Sequence, residues 1–310
     1  MKRFIPTIVL LVVCIGAFWY ASSQSFFKKE DEASKPKALV AVKQTDVTGI
    51  QIKQGNIELQ KKDGKWTFTK PAAYPTNAYT GDSWVGAFIA LTQDGEIDAN
   101  PGDLSKYGLS NPEQEYGVTL ADGTSKVVQI GSPLPIAGHY YAKVKDAPNV
   151  YKVTEEQLKS LQKAPEEFVE KSPFQMTYNE VSGIQMDWKG ASKTLQKTDP
   201  AKSSTESAWK LGDKEMKGSD VEPILDKMLL MSSDQMVKAV SELKLDAPEM
   251  KLQLKSTKDG KETTVVYVGK IDGDQIWLAM QGGAWAYTIP VDTIQELFDK
   301  IKLPEAAAAK

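Results

Sequence analysis

Of the 310 residues, one is cysteine, one is histidine and one, Arg3, is arginine. A single thiol excludes an internal disulfide framework, and so thin a supply of Cys and His excludes zinc-type clusters. Any Ser–His–Asp or Cys–His system would have to use His139. With 38 basic residues and one arginine, 37 are lysines. The guanidinium fork that grips phosphate and guanine bidentately is therefore missing, and nucleic acid is not an expected partner. Phosphate-cradling Gly-x-x-x-x-Gly-Lys-Ser/Thr, paired-glycine dinucleotide, His-Glu-x-x-His and Gly-x-Ser-x-Gly patterns are all absent. The sequence thus nominates no catalytic residue, no cofactor and no metal ligand. What it does contain is 41% hydrophobic and 25% charged residues, the proportions of a globular chain of about two domains.

The one long apolar run lies at the start. Lys2 and Arg3 precede an uncharged stretch from Phe4 to Phe27 whose apolar part is Phe4–Ala21. Eighteen residues of helix reach roughly 27 Å, enough to cross a bilayer core with interfacial help. Trp19 and Tyr20 stand at the far end, where amphipathic rings prefer the headgroup layer. A cleaved leader ending at Ala21-Ser22-Ser23 is the alternative, but the run exceeds a usual leader core and bulky Phe18-Trp19-Tyr20 crowds the cleavage site. The expectation is an anchor over residues 1–27 that touches the membrane through residues 4–21, with the bulk of the chain outside the cell membrane. The thiol-free remainder suits an oxidising exterior.

After a polar linker (28–46), the chain is written twice. Val47-Thr48-Gly49-Ile50-Gln51-Ile52 returns as Val181-Ser182-Gly183-Ile184-Gln185-Met186. Trp66 is answered by Trp209, Leu109-Ser110-Asn111-Pro112-Glu113 by Leu245-Asp246-Ala247-Pro248-Glu249, Ile130-Gly131 by Val268-Gly269, and Val150-Tyr151 by Ala286-Tyr287. Matches that keep their order through both halves are the mark of a tandem duplication. Residues 47–164 form the first repeat, 165–180 a connector, 181–303 the second repeat and 304–310 a tail. Alternating patterns and hairpin turns such as Lys62-Asp63-Gly64-Lys65 predict about seven strands per repeat. Helices are predicted around 80–93, after Thr154, over 219–231 with Ser219 and Glu222 as a capping box, and over 292–302. The fold class expected is α+β: an N-terminal transmembrane helix, then two tandem domains, each a mostly antiparallel sheet with two helices.

Tyr107-Gly108-Leu109-Ser110-Asn111-Pro112, Val118-Thr119-Leu120-Ala121-Asp122-Gly123, Ile130-Gly131, Tyr140-Tyr141-Ala142-Lys143 and Val150-Tyr151-Lys152-Val153 together resemble the domain of unknown function 4340 family. The resemblance spans roughly 47–303. It implies an exported, membrane-tethered chain associated with ABC-type or gliding-motility-like transport systems, and carries over no catalytic residue. The second copy departs from the pattern at Lys244-Leu245, where the Tyr-Gly is missing.

Few chemical groups stand out. His139 opens a strand and reads as a turn residue. Asp272-Gly273-Asp274 lacks the further ligands of a calcium loop and reads as a tight turn. Glu155/Glu156 and Glu166/Glu167 sit at helix starts, where the helix dipole favours anions. One asymmetry suggests a surface. In the first copy Val128, Ile130, Tyr140 and Ala142 share one face, and the other is mixed. In the second, Val266, Val268, Trp277 and Ala279 are taken as the inner set, which leaves Val265, Tyr267, Ile276, Leu278 and Met280 as an apolar opposite face needing cover. Those five are the candidate partner-binding residues, with transporter subunits or other envelope proteins as partners. The expected role is a non-catalytic binding or scaffolding protein. Two alternatives stay open: a glycan or peptide module with Tyr74, Tyr79, Trp188 or Trp285 between the repeats, and a hydrolase using carboxylates alone.

Overall fold

The computed structural model describes residues 37–303, and they form three antiparallel sheets and four helices, with 41% of these residues in strands. The first large sheet has eight strands: β2 (Val47–Ile52), β3 (Ile57–Lys62), β4 (Lys65–Lys70), β6 (Glu96–Asp98), β7 (Gln114–Leu120), β8 (Ser125–Pro133), β9 (His139–Val144) and β10 (Val150–Thr154). Its spatial order is β4-β3-β2-β7-β8-β9-β10-β6. The second has nine: β11 (Val181–Trp188), β12 (Ala191–Lys197), β13 (Trp209–Leu211), β14 (Lys214–Met216), β15 (Lys238–Ala239), β16 (Met250–Lys258), β17 (Lys261–Asp272), β18 (Gln275–Met280) and β19 (Trp285–Pro290). They lie in the order β14-β13-β12-β11-β16-β17-β18-β19-β15. Apart from the extra edge strand β14, the two chain paths are the same. A two-stranded sheet pairs β1 (Lys37–Ala38) with β5 (Thr92–Gln93).

This architecture corrects the expected fold class. The molecule is strand-dominated, with eight and nine strands in place of about seven, and with a third sheet. The added strands are two or three residues long, too short for a period-two pattern to declare itself. The expected transmembrane helix falls at residues 1–27, outside the described residues. Among the described residues no helix is long and apolar enough to cross a membrane.

Each sheet lays one face on two helices. In the first half α1 (Thr80–Ile89) buries Trp84, Val85 and Phe88, and α2 (Glu155–Leu161) buries Leu158 and Leu161. The buried indole of Trp84 donates to the carbonyl of Leu161 at 3.0 Å, joining the two helices while satisfying its N–H. In the second half α3 (Gly218–Leu229) and α4 (Val291–Lys300) do the same with Val221, Ile224, Leu225, Met228, Ile294, Leu297 and Phe298. α3 begins one residue before the expected Ser219 box. Asp220 accepts from the Lys217 amide at 2.9 Å, so the cap is set there and Pro223 stands in the second turn.

The ladders also fix which residues correspond. Both first strands carry the same irregularity after their opening valine, Val47 in β2 and Val181 in β11. Trp66 pairs with Lys61 and Trp209 with Lys197, so the matched tryptophans are equivalent in space. Gln114 and Met250 are equivalent too, but Gln114 faces Ile130 whereas Met250 faces Gly269. Ile130 therefore corresponds to Gly269, not Val268.

The halves are fused. The core of the first includes Val237 and Tyr287 from the second, with Met236 and Trp285 packed against it. Tyr74 and Trp285 meet with ring centroids 5.0 Å apart, and the Trp285 indole donates to the Ala73 carbonyl at 3.1 Å. The connector runs through this seam: Phe168 and Val169 are buried, and Asn77 and Glu170 donate backbone bonds to Phe168 and Pro75, both 2.8 Å.

Candidate functional site

The one-residue slip between Val268 and Gly269 turns a strand over, because side chains alternate faces with period two. Tyr267, Ile276 and Leu278 accordingly point into the second core, with Val265 packed on its edge. They share that core with the buried side chains of helices α3 and α4 of their own half, and Phe174 of the connector stands edge-on to Tyr267 at 4.9 Å. Met280 alone of the five is exposed, at 47%. The covering that the apolar face requires is supplied from within the chain. The set taken as inner lies on the opposite face, where Trp277, Ala279 and Ala286 are capped by Val240, Leu243 and Leu245.

That cap explains the Tyr-Gly motif and its loss. In the first half Tyr107 occupies the place of Leu243, packs its ring on Tyr141 at 5.1 Å, and donates its hydroxyl to Asp98 at 2.8 Å. Gly108 has φ of 69°, and a Cβ on Gly131 would stand 2.0 Å from the Tyr107 carbonyl oxygen. The loop thus lies on β8 so closely that only glycine fits beneath it. In the second half aliphatic Leu243 and Leu245 sit over an apolar patch, and neither tyrosine is needed.

The four aromatic candidates divide. Tyr74 and Trp285 close on each other in the seam between the halves. Trp188 is buried and donates to Gln295 at 2.8 Å. Tyr79 is 82% exposed at the start of α1 and stands apart from the other three. They do not converge on one groove.

Ionisable groups are engaged as structural clamps. His139 faces the Asp94 carboxylate with Nε2 at 3.1 Å and the Ala137 carbonyl with Nδ1 at 2.9 Å, and Lys152 reaches the same carboxylate at 2.9 Å. The Lys152 bond foremost, then the charges of Lys152 and the contact with His139, hold Asp94 below its ordinary carboxylate range despite some desolvation. Asp82 links Lys61 (2.7 Å) to the indole N–H of Trp66 (2.9 Å). Burial would raise it, but these bonds outweigh burial and its pKa falls. The Glu155 and Glu167 carboxylates bridge to Lys159 and Lys163 along the chain. Gly273 and Asp274 are the two turn residues of a tight hairpin closed by the Asp272–Gln275 pair. Among the described residues no group of three His, Cys, Asp or Glu is placed to hold a metal.

The solvent face of the first sheet carries an open trough. Two adjoining cavities of about 340 and 290 Å³ share Gln51 and Glu58 and run diagonally from β3 and β2 across β7 to β8. Gly49 and Gly117 lie on their floor. Gln60, Thr119, Lys53, Glu115, Asn56 and Lys145 line the sides. Lys53 bridges Glu115 at 3.0 Å and Lys70 bridges Glu58 at 2.8 Å, while the side chains of Gln51, Gln60 and Asn56 make no hydrogen bond among the described residues. No sequence motif marks this trough. The available signal was a glycine inside each of two polar-faced strands, which marks a place where something approaches the backbone closely.

A family model described as a domain of unknown function (DUF4340) matches residues 66–239, from β4 through both the seam and β15. Neither the comparison with curated proteins nor that with solved structures gives a match. With more than half its length matched, and with the glycines of its Tyr-Gly and Ile-Gly motifs accounted for by one close-packed loop, the chain belongs to the domain of unknown function 4340 family.

Proposed function

We propose that this chain is a non-catalytic binding or scaffolding protein working on the outer side of the cell membrane, as an accessory to an ABC-type transport system. The observation that carries the non-catalytic reading is electrostatic. Every described carboxyl group with a perturbed pKa is shifted down, held ionised by lysines, hydroxyls or backbone amides, as at Asp82, Asp94, Asp98 and Glu249. A carboxyl acting as general acid near neutrality needs the opposite shift, from burial or a like charge. The fused double sheet gives a broad rigid body, which suits holding partners in register. Lys2 and Arg3 ahead of the apolar stretch, and the absence of thiols beyond it, support placement outside the cytoplasm. The transport association rests on the family resemblance.

The test is purification of the full chain from cross-linked native membranes. The reading expects permease and ATP-hydrolysing subunits of one transporter to be recovered in fixed proportion. Recovery of the chain alone, or of a soluble substrate cleaved by it, would refute the reading.

A further inference from the structure

We propose that the trough on the solvent face of the first sheet is a binding site for a neutral sugar chain. The proposal is independent of the transport reading and stands on three features of this face.

Composition comes first. The charged groups around the trough are largely paired with each other, Lys53 with Glu115 and Lys70 with Glu58. Among the described residues, the groups left free are the amides of Gln51, Gln60 and Asn56 and the ammonium of Lys145. A primary amide carries two donors and an acceptor, and a paired carboxylate keeps spare lone pairs. Such a lining complements a ligand dense in groups that donate and accept at once, as hydroxyls and acetamido groups do. It offers little to a lipid or an apolar ligand, whose sites are lined mainly by hydrocarbon.

Backbone accounting separates sugar from peptide. An extended peptide is commonly gripped by the unpaired amides and carbonyls of a sheet edge. Here β3, β2, β7 and β8 are interior strands whose backbone groups are spent in ladders with one another. Only side chains are on offer, and they span roughly 19 Å from β4 to β8 at about 4.8 Å per strand, the reach of a short oligosaccharide.

The third feature is the internal comparison that the duplication supplies. The ladder equivalences place Gln253 where the first half has Gly117, and Lys255 where it has Thr119. Lys255 lies over Gly183, its Cδ 3.2 Å from where a Cβ would stand, and bridges to Glu262 at 3.4 Å. Gln196, the counterpart of Gln60, is tied to the Ser182 carbonyl at 3.1 Å. One ancestral surface is therefore more filled in the second copy, by Gln253, Lys255 and the tethered Gln196, and more open in the first, where Gly117, Thr119 and the untethered Gln60 stand instead.

Chitotetraose and cellotetraose, titrated calorimetrically into the full chain in a detergent without a sugar headgroup, test the proposal. Saturable binding of at least one is expected. Gln51→Ala should weaken it about fivefold, the worth of one neutral hydrogen bond. Gly117→Gln, which copies the second repeat, should weaken it more than tenfold, and Gln253→Ala should leave it unchanged. Thermal melts confirm that each variant folds, and should Gly117→Gln fail to fold, Gln51→Ala decides. Absence of binding by either sugar, or binding that Gln51→Ala leaves intact, overturns the proposal.

Discussion

Leu278 and Met280 differ by one turn of the strand pleat on the same face of β18, and the structure assigns them opposite energetic fates. Leu278 is fully buried, paired across the ladders with Gly269 on one side and Tyr287 on the other. The space that Gly269 leaves is already filled, since a Cβ there would lie 2.5 Å from Ile276 Cδ1. Neighbours therefore have little freedom to close over a truncated residue. Leu278→Ala should cost about 3–5 kcal/mol, in the upper part of the range for buried leucines, where the cavity persists. Met280 is 47% exposed, and Met280→Ala should cost about 1 kcal/mol or less, the transfer value of the fraction it buries. Urea unfolding of the intact chain, with slopes compared to confirm that the unfolded states match, measures both. Equal losses for the two, or a loss under about 1 kcal/mol for Leu278→Ala, would refute the inward assignment. This face would then be available for a partner after all.

Three further outcomes follow from particular contacts. Gly131→Ala should destabilise the first half by more than about 3 kcal/mol, because the new Cβ meets a backbone oxygen at 2.0 Å and the Tyr107 loop must lift; loss of the Tyr107–Asp98 bond would register as a faster-exchanging loop. Trp285→Ala removes an indole hydrogen bond and a ring contact across the seam, together worth about 2 kcal/mol, and should turn a shared unfolding transition into two separable ones by fluorescence and circular dichroism. Asp82 has a folded pKa below its unfolded value of 3.8, so its contribution is complete above that pH and is lost as pH falls through the lowered folded value. Asp82→Asn should therefore lower stability at neutral pH and flatten its acid limb, and an unchanged acid limb would contradict the Lys61–Asp82–Trp66 clamp.

Much of the fold was legible because the landmarks repeat. Val47/Val181, Trp66/Trp209 and Tyr151/Tyr287 recur in order, and the ladders place each pair at equivalent positions. The failure at β17 has a definite cause. Aligning Gly131 with Gly269 is natural by residue type, but those glycines serve different contacts, one beneath a loop carbonyl and one beneath Ile276. The β16–β17 hairpin is longer than its counterpart, and a single-residue offset inverted every side chain on the strand. The short edge strands were invisible because they are specified by neighbours across the sheet and not by local pattern. The polar trough was missed for a related reason. Its character depends on which amides lack partners, and partnership is settled in three dimensions: Gln60 and Gln196 both stand in Leu-Gln-Lys, yet only Gln196 is tied to a neighbouring strand.

The central claim is that two like sheets form a single body joined through a common core at Tyr74, Val237, Trp285 and Tyr287. Native-state hydrogen exchange on the intact chain addresses it most directly. The most protected amides of β2 and β18, around Ile50 and Leu278, should open with the same free energy. A gap of more than about 1 kcal/mol between them would contradict it, because the two halves would then unfold as neighbours and not as one.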